Sequence, residues 1–204
     1  MLFFLFFALF SQAAEPTPVS VSQNLPPYAI VTKVKGEARF EGRRLTIGYR
    51  IDYPGHVTTN ADSFLQLTIA EWNKKVNIGP VSKLKVDFKS DAVYSLESGV
   101  SRWLKDKKND IPGAPKGIIQ TPHTNIRILG TDFLLRVNKD FNESELYLLE
   151  GEVQISNAIN KMDTANVKAG NWIGIGGRFS DSLHGPVEMN ANHLKRLKEE
   201  ELVW

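Results

Sequence analysis

The stretch that decides the fold runs Thr121-Pro122-His123-Thr124-Asn125, Ile126-Arg127-Ile128-Leu129-Gly130-Thr131-Asp132-Phe133, then Leu134-Leu135-Arg136-Val137, a polar turn, and Leu148-Leu149-Glu150-Gly151-Glu152-Val153. It reads as two strands separated by turn chemistry, with Gly130 placed where one strand hands over to the next. The same character spreads outward from it. Leu84, Val86 and Phe88 alternate with Lys83, Lys85 and Asp87, the period-two pattern of a half-buried strand. Leu65, Leu67 and Ile69 share one face after the polar turn Asn60-Ala61-Asp62-Ser63, and Ala29 to Val34 is a β-branched run that stops at Lys35-Gly36.

A loose internal echo repeats along the chain. Lys33 to Phe40, Leu96 to Trp103, Leu149 to Ile155 and, less closely, Val167 to Ile173 each run apolar, polar, Gly, then alternating strand. Their unequal spacing argues against a solenoid with a fixed period. Gly36, Gly99, Gly151 and Gly170 instead mark bends or bulges where strands turn the corners of a sandwich or short β-roll. Many short strands with turns between them predict an all-β domain over residues 28–179. The remainder, 180–204, is a linker and a C-terminal α-helix. Asn190 or Asn192 is its cap, Leu194 and Leu197 are its narrow apolar face, and Glu199 to Glu201 make it strongly charged.

The chain has 204 residues, enough for one well-buried core, and its 42% hydrophobic and 24% charged residues are ordinary for a globular protein. A net charge of +2, with basic residues scattered, argues against nucleic acid as a partner. Leu2 to Phe10 is a nearly continuous apolar block followed by Ser11-Gln12-Ala13, which predicts a signal peptide over 1–13 cut after Ala13. The run is about half the length that spans a bilayer, so no stable membrane span is expected in the mature chain. The block starts at Met1 without the usual positive residues, so either the signal is atypical or the true start lies upstream. Glu15 to Pro27 lies in a linker, residues 14–27, rich in Pro, Ser, Thr and Val. Cysteine is absent, which removes thiol chemistry, disulfides and a lipoprotein anchor, and points to a soluble periplasmic protein.

No catalytic constellation emerges. His56, His123, His184 and His193 fall in no metal-ligand spacing and read as surface or local hydrogen-bonding residues. Ser82-Lys83-Leu84-Lys85 has the Ser-x-x-Lys form but lies on a predicted strand, where serine cannot be aimed at lysine from a helix start. Gly174-Ile175-Gly176-Gly177 is followed by no phosphate-binding helix. Glu150 and Glu152 read as solvated acids more readily than as a glycosidase pair. No cofactor, metal or catalytic residue is therefore assigned. Trp72, Trp103 and Trp172 are weighed as core against sugar-binding platforms. The polar loop Lys105 to Gly117, with Lys105, Lys107 and Lys108, is weighed as a solvated loop against a site for an acidic partner. The helix with Leu194, Leu197 and Trp204 docks either on its own domain or on another protein.

The order "Thr-Pro, short strand, Gly-Thr-x-Phe, strand, polar turn, Glu-Gly-x-Val" resembles the FecR domain, a periplasmic β domain named for the iron-citrate regulator. Thr121, Pro122, Gly130, Thr131, Phe133 and Gly151 carry that element. Val34-Lys35-Gly36 with Leu45-Thr46-Ile47-Gly48, Val57 to Ser63, and Val167-Lys168-Ala169-Gly170 resemble its further turns, so the likeness covers roughly Ala29 to Ile175. The resemblance implies a non-enzymatic module in envelope signalling. It also implies a protein partner such as a membrane regulator or an outer-membrane transporter. Relative to the family's full regulators, the cytoplasmic anti-sigma and transmembrane segments are not seen. The alternative is an envelope scaffold that binds peptidoglycan or polysaccharide.

Overall fold

The computed structural model describes residues 28–70, 74–88, 93–105, 117–128 and 131–203. The expected signal peptide and linker, Trp72, Gly130, Lys107, Lys108 and Trp204 lie outside them, as does the side chain of Lys105. The strands are β1 (Ala29–Lys35), β2 (Ala38–Phe40), β3 (Arg43–Arg44), β4 (Arg50–Ile51), β5 (Gly55–Thr59), β6 (Phe64–Ile69), β7 (Lys74–Ile78), β8 (Lys83–Asp87) and β9 (Val93–Lys105). They continue with β10 (Ile118–Gln120), β11 (Thr124–Ile128), β12 (Asp132–Asn138), β13 (Glu143–Glu150), β14 (Glu152–Asn157), β15 (Thr164–Lys168), β16 (Asn171–Gly176) and β17 (His184–Glu188). The helix α1 (Ala191–Glu199) closes the order.

The strands form one hydrogen-bonded network folded into two layers. The front layer runs β4-β1-β6-β7-β9-β12-β13-β16-β17 and the back layer β3-β2-β5-β8-β9-β10-β11-β14-β15. Only β9 belongs to both: Val93 to Ser98 pairs in the back layer and Gly99 to Lys105 in the front. Every pairing is antiparallel except β9 with β10. Inward residues of both layers merge into a single core that includes Val31, Phe40, Val57, Leu67, Leu84, Tyr94, Ile126, Phe133, Leu148 and Val153. The all-β fold of many short strands with a C-terminal helix, expected from the sequence, is the fold observed.

The echoed glycines are its corners. Gly36 leads from β1 to β2, Gly99 bends β9, Gly151 joins β13 to β14, and Gly170 joins β15 to β16, each step passing between layers. All four have positive φ, from 75° to 89°, a conformation that costs a side chain energy and glycine little. At Gly99 there is also no room: a Cβ would collide with Ser82 Oγ and Cα. Gly99→Ala is expected to cost more than the roughly 1–3 kcal/mol of left-handed strain alone, read as a fall in the urea midpoint with unchanged m-value. A midpoint equal to that of the unsubstituted chain would show that β9 does not need this corner.

Two expectations are corrected by the topology. The stretch Thr121 to Ile155 holds four strands, β11 to β14, because β11 and β14 pair in the back layer while β12 and β13 pair in the front. The sheet also runs past the expected boundary at Phe179, since β17 pairs with β16 on the front edge. Prolines and glycines at Gly185-Pro186 hide that strand from a periodicity reading.

Candidate functional site

A sheet's free edge is where a second chain most readily adds backbone hydrogen bonds. Among the described residues, three of the four edges are blunt. The strands β3 and β4 have two residues each, and β17 carries Pro186. The fourth, β15, is five residues long and pairs with β14 alone among the described residues. Its register fixes which groups remain free. Asn157 N–H donates to Asp163 O at 2.9 Å and Ala169 N–H to Gly151 O at 3.0 Å. Alternation of an antiparallel ladder then turns Ala165 and Val167 toward β14, and turns the backbone groups of Thr164, Asn166 and Lys168 outward. The Lys168 carbonyl accepts from Asn171 Nδ2, leaving Thr164 and Asn166 as the outward pair.

The turn before β15 is held firmly. Asn157 is buried, its Oδ1 accepts from the N–H groups of Ile159 and Asn160, and its Nδ2 donates to Asp163 Oδ2 and Asp181 O. Asp163 Oδ2 also accepts from Leu183 N–H, and Ala158 N–H donates to His123 O. This frame holds Ile159 and Met162 in solvent at 89% and 90% exposure, the most exposed large apolar side chains among the described residues. Two uncovered apolar side chains thus stand beside a free strand edge, with Lys161 and Lys168 exposed alongside, an arrangement suited to the addition of an extended polypeptide. The sequence reading missed it: Ile159 and Met162 are isolated in a polar turn, and an edge is a property of pairing.

Of the motif residues, Thr121 shapes the corner whose His123 carbonyl supports this turn. Thr121 Oγ1 accepts from the N–H groups of His123 and Thr124, fixing the β10–β11 corner, and Ser144 Oγ donates to it at 3.0 Å. Pro122 occupies the exposed turn itself. Thr131 is buried at the start of β12, and Phe133 stacks on Trp103 with centroids 6.3 Å apart. His123 Nδ1 meets Ser144 Oγ at 2.8 Å, but that hydroxyl is buried and committed to Thr121. His56 bridges Glu41 and Glu97 on the surface. Ser82 Oγ bonds to the backbone of Pro80 and Val100, away from any lysine role.

The C-terminal segment takes the other outcome from that of a free helix. Asn190 caps α1, its side chain accepting from His193 N–H at 2.8 Å. Leu197 is fully buried with Leu134, Tyr147, Leu149, Met189 and Leu202, and Leu194 packs on that cluster. The Leu194–Leu197 face, offered as a partner site, is therefore docked on its own front layer, because β12 and β13 are apolar on both faces and need a cover. Trp103 is also withdrawn as a sugar platform: it is fully buried. Trp172 is half-buried and packed among Tyr147, Phe179 and His184.

Beside this cluster an open cleft of about 760 Å³ runs past Val81, Gly99, Arg136, Phe141, Glu145 and Arg178. Its charges answer one another, Arg178 with Glu145 and Arg136 with Glu201. Burial and the neighbouring Glu145 carboxylate push the Tyr147 hydroxyl up to about 12 from its ordinary 10.0. A raised folded-state value means this group's contribution to stability is complete below pH 10 and is lost as pH climbs through about 12. Tyr147→Phe is expected to remove that part of the alkaline loss, measured as urea midpoints across the window. An identical pH profile in the variant would contradict the assignment.

The family model for FecR protein matches residues 55–154, from β5 through β14. This chain carries a FecR domain. The match includes the Thr121–Phe133 element and Gly151, and ends just before the turn bearing Ile159 and Met162. Two crystal structures of a candidate anti-sigma factor from Parabacteroides distasonis, at 2.50 Å and 1.65 Å resolution, are similar to this chain in fold. Each is 13% identical with a TM-score of 0.56, over 71% of this chain and 64% and 65% of theirs. The chain thus spans less than two thirds of those proteins' length, and the likeness is one of fold. No curated protein matches the sequence. Among the described residues no helix is long and apolar enough to cross a membrane.

Proposed function

We propose that this FecR domain protein is a non-enzymatic interaction module in signalling at the bacterial envelope, working in the periplasm. It docks an extended segment of a partner protein as an added strand on β15. The FecR match and the anti-sigma-type neighbours support signalling as the setting. The observation that carries the docking mode is the outward Thr164–Asn166 edge beside exposed Ile159 and Met162. Backbone bonds to the edge would supply affinity, and the two apolar side chains would supply selectivity. A membrane regulator or an outer-membrane transporter is the partner class this reading names.

The test uses a proline. Asn166 directs its N–H away from β14, so Asn166→Pro removes a docking donor without breaking the ladder. Cross-linked capture of an envelope protein by the tagged chain should fall at least tenfold, with the melting transition unchanged. Full capture by a folded Asn166→Pro chain would rule out docking on β15.

A further inference from the structure

Val81 and Phe141, each 67% exposed, come from different loops and line the same open cleft. The backbone at Val81 is unusual. Among the described residues, six other than glycine have positive φ. Four of them, Glu41, Asp62, Asn142 and Ser180, are polar, and Leu202 is buried. Val81, at φ 50°, is the only one that is both β-branched and exposed. A β-branched side chain meets steric strain in that region. At this exposure, burial returns little of the cost.

Hydrogen bonds on both sides impose this conformation. Gly79 N–H donates to the Val100 carbonyl at 2.9 Å, and Val81 N–H to the Asn60 carbonyl at 3.2 Å. Ser82 N–H donates to Thr59 Oγ1 at 3.0 Å, and Ser82 Oγ accepts from Val100 N–H at 2.9 Å. The loop that carries Phe141 is as firmly placed. Asn138 Oδ1 accepts from the N–H groups of Asp140 and Phe141, at 3.1 and 3.3 Å. The Phe141 carbonyl packs so closely on Gly177 that a Cβ there would meet it at 2.3 Å. Half-buried Val100 also lines the cleft, with the Arg136 guanidinium over the Tyr147 ring, 5.2 Å from its centroid. The charges cancel: Arg136 pairs with Glu201, Arg178 pairs with Glu145, and Lys139 and Asp140 are neighbours of opposite sign.

A cleft with balanced charges and uncovered apolar walls suits an uncharged, apolar group. Walls made by an isopropyl group, a phenyl ring and a guanidinium suit an aromatic one. Small-molecule sites enclose most of their ligand, whereas this cleft is open. A side chain carried by a second protein is covered from outside as that protein closes over it. We propose that the cleft binds one aromatic side chain of a protein partner, inserted as an anchor between Val81 and Phe141. The strained, exposed isopropyl group of Val81 then serves binding and not folding. The cleft shares no residue with the β15 edge, so the two contacts are separate.

The probe is a capped, uncharged pentapeptide with one phenylalanine between glycines, titrated to millimolar concentration and followed by NMR at the Val100 methyl signals. Saturable shifts are expected with the unsubstituted chain. They are also expected with Ile47→Ser, which removes an equally exposed apolar group outside the cleft. Val81→Asn should weaken binding roughly tenfold while raising the urea midpoint, because asparagine tolerates positive φ. Phe141→Ser should weaken binding comparably. The same peptide with alanine in place of phenylalanine should give no saturable shift. No saturation with the phenylalanine peptide, or unchanged affinity in Val81→Asn and Phe141→Ser, overturns the site. A lower midpoint in Val81→Asn would show that Val81 serves the fold, which overturns its assignment to binding. Toluene binding as tightly as the peptide would place a small molecule in the cleft and overturn the partner side chain.

Discussion

Arg102→Ala is expected to destabilise the chain by about 3–5 kcal/mol, the usual cost of removing one partner from a buried ion pair. Arg102 has 6% of its side chain exposed and Asp132 16%, so neither charge is well solvated. Loss of the guanidinium leaves the Asp132 carboxylate without its two donors and frees the three carbonyls at the end of α1. The damage should therefore reach both the sheet and the tail. Arg102→Met with Asp132→Leu should recover part of the loss, because no charge is then stranded, while the helix carbonyls remain without their donor. Urea midpoints of the single and double variants separate these terms. A single variant within about 1 kcal/mol of the unsubstituted chain would mean that water solvates the site well.

Trp103→Ala should be comparably costly, about 3–5 kcal/mol, for a different reason. The indole is fully buried in the core, stacks on Phe133, meets Tyr94 edge-on at 5.6 Å, and donates Nε1–H to Ser101 Oγ at 2.9 Å. Truncation opens a cavity between the two layers just where β9 has crossed from one to the other. Trp103→Phe should recover most of the loss by restoring the stacked ring. Co-sedimentation with wall polysaccharide should be the same for both folded variants. A loss of sedimentation specific to these variants, at temperatures where they remain folded, would reinstate the sugar-platform reading.

Much of this fold is legible in local pattern. Period-two alternation at Leu65, Leu67 and Ile69, and at Leu84 and Val86, marks residues that face the core. The Gly36, Gly99, Gly151 and Gly170 echo is legible because a chain that changes layer must adopt a backbone conformation that favours glycine. The docking of the tail was also written in the sequence, though less openly. Leu134-Leu135 and Leu146-Tyr147-Leu148-Leu149 are apolar at successive positions, so both faces of β12 and β13 must be covered. Something outside the sandwich has to supply the second cover, and α1 with Leu202 does so.

The rest depended on distant pairings. Arg102 meets carbonyls 95 to 99 residues away, and no local pattern announces such a contact. The β15 edge is equally silent. Thr164 to Lys168 reads as an ordinary short strand, and only the order of the back layer shows that nothing described pairs beyond it. The motif residues were legible for their place in the family and not for their task. Thr121, Ser144 and His123 form a pinned corner whose carbonyl at His123 in turn supports the turn that holds out Ile159 and Met162.

The most direct test of this account is a photo-cross-linking amino acid placed at Met162 or, separately, at Ile47, itself 67% exposed on the β3–β4 connection. With β15 as the docking strand, Met162 yields a covalent adduct to an envelope protein in living cells, Ile47 yields none, and Asn166→Pro abolishes the Met162 adduct. The same adduct from both positions, or one that survives Asn166→Pro in the folded chain, would contradict a partner strand on this edge.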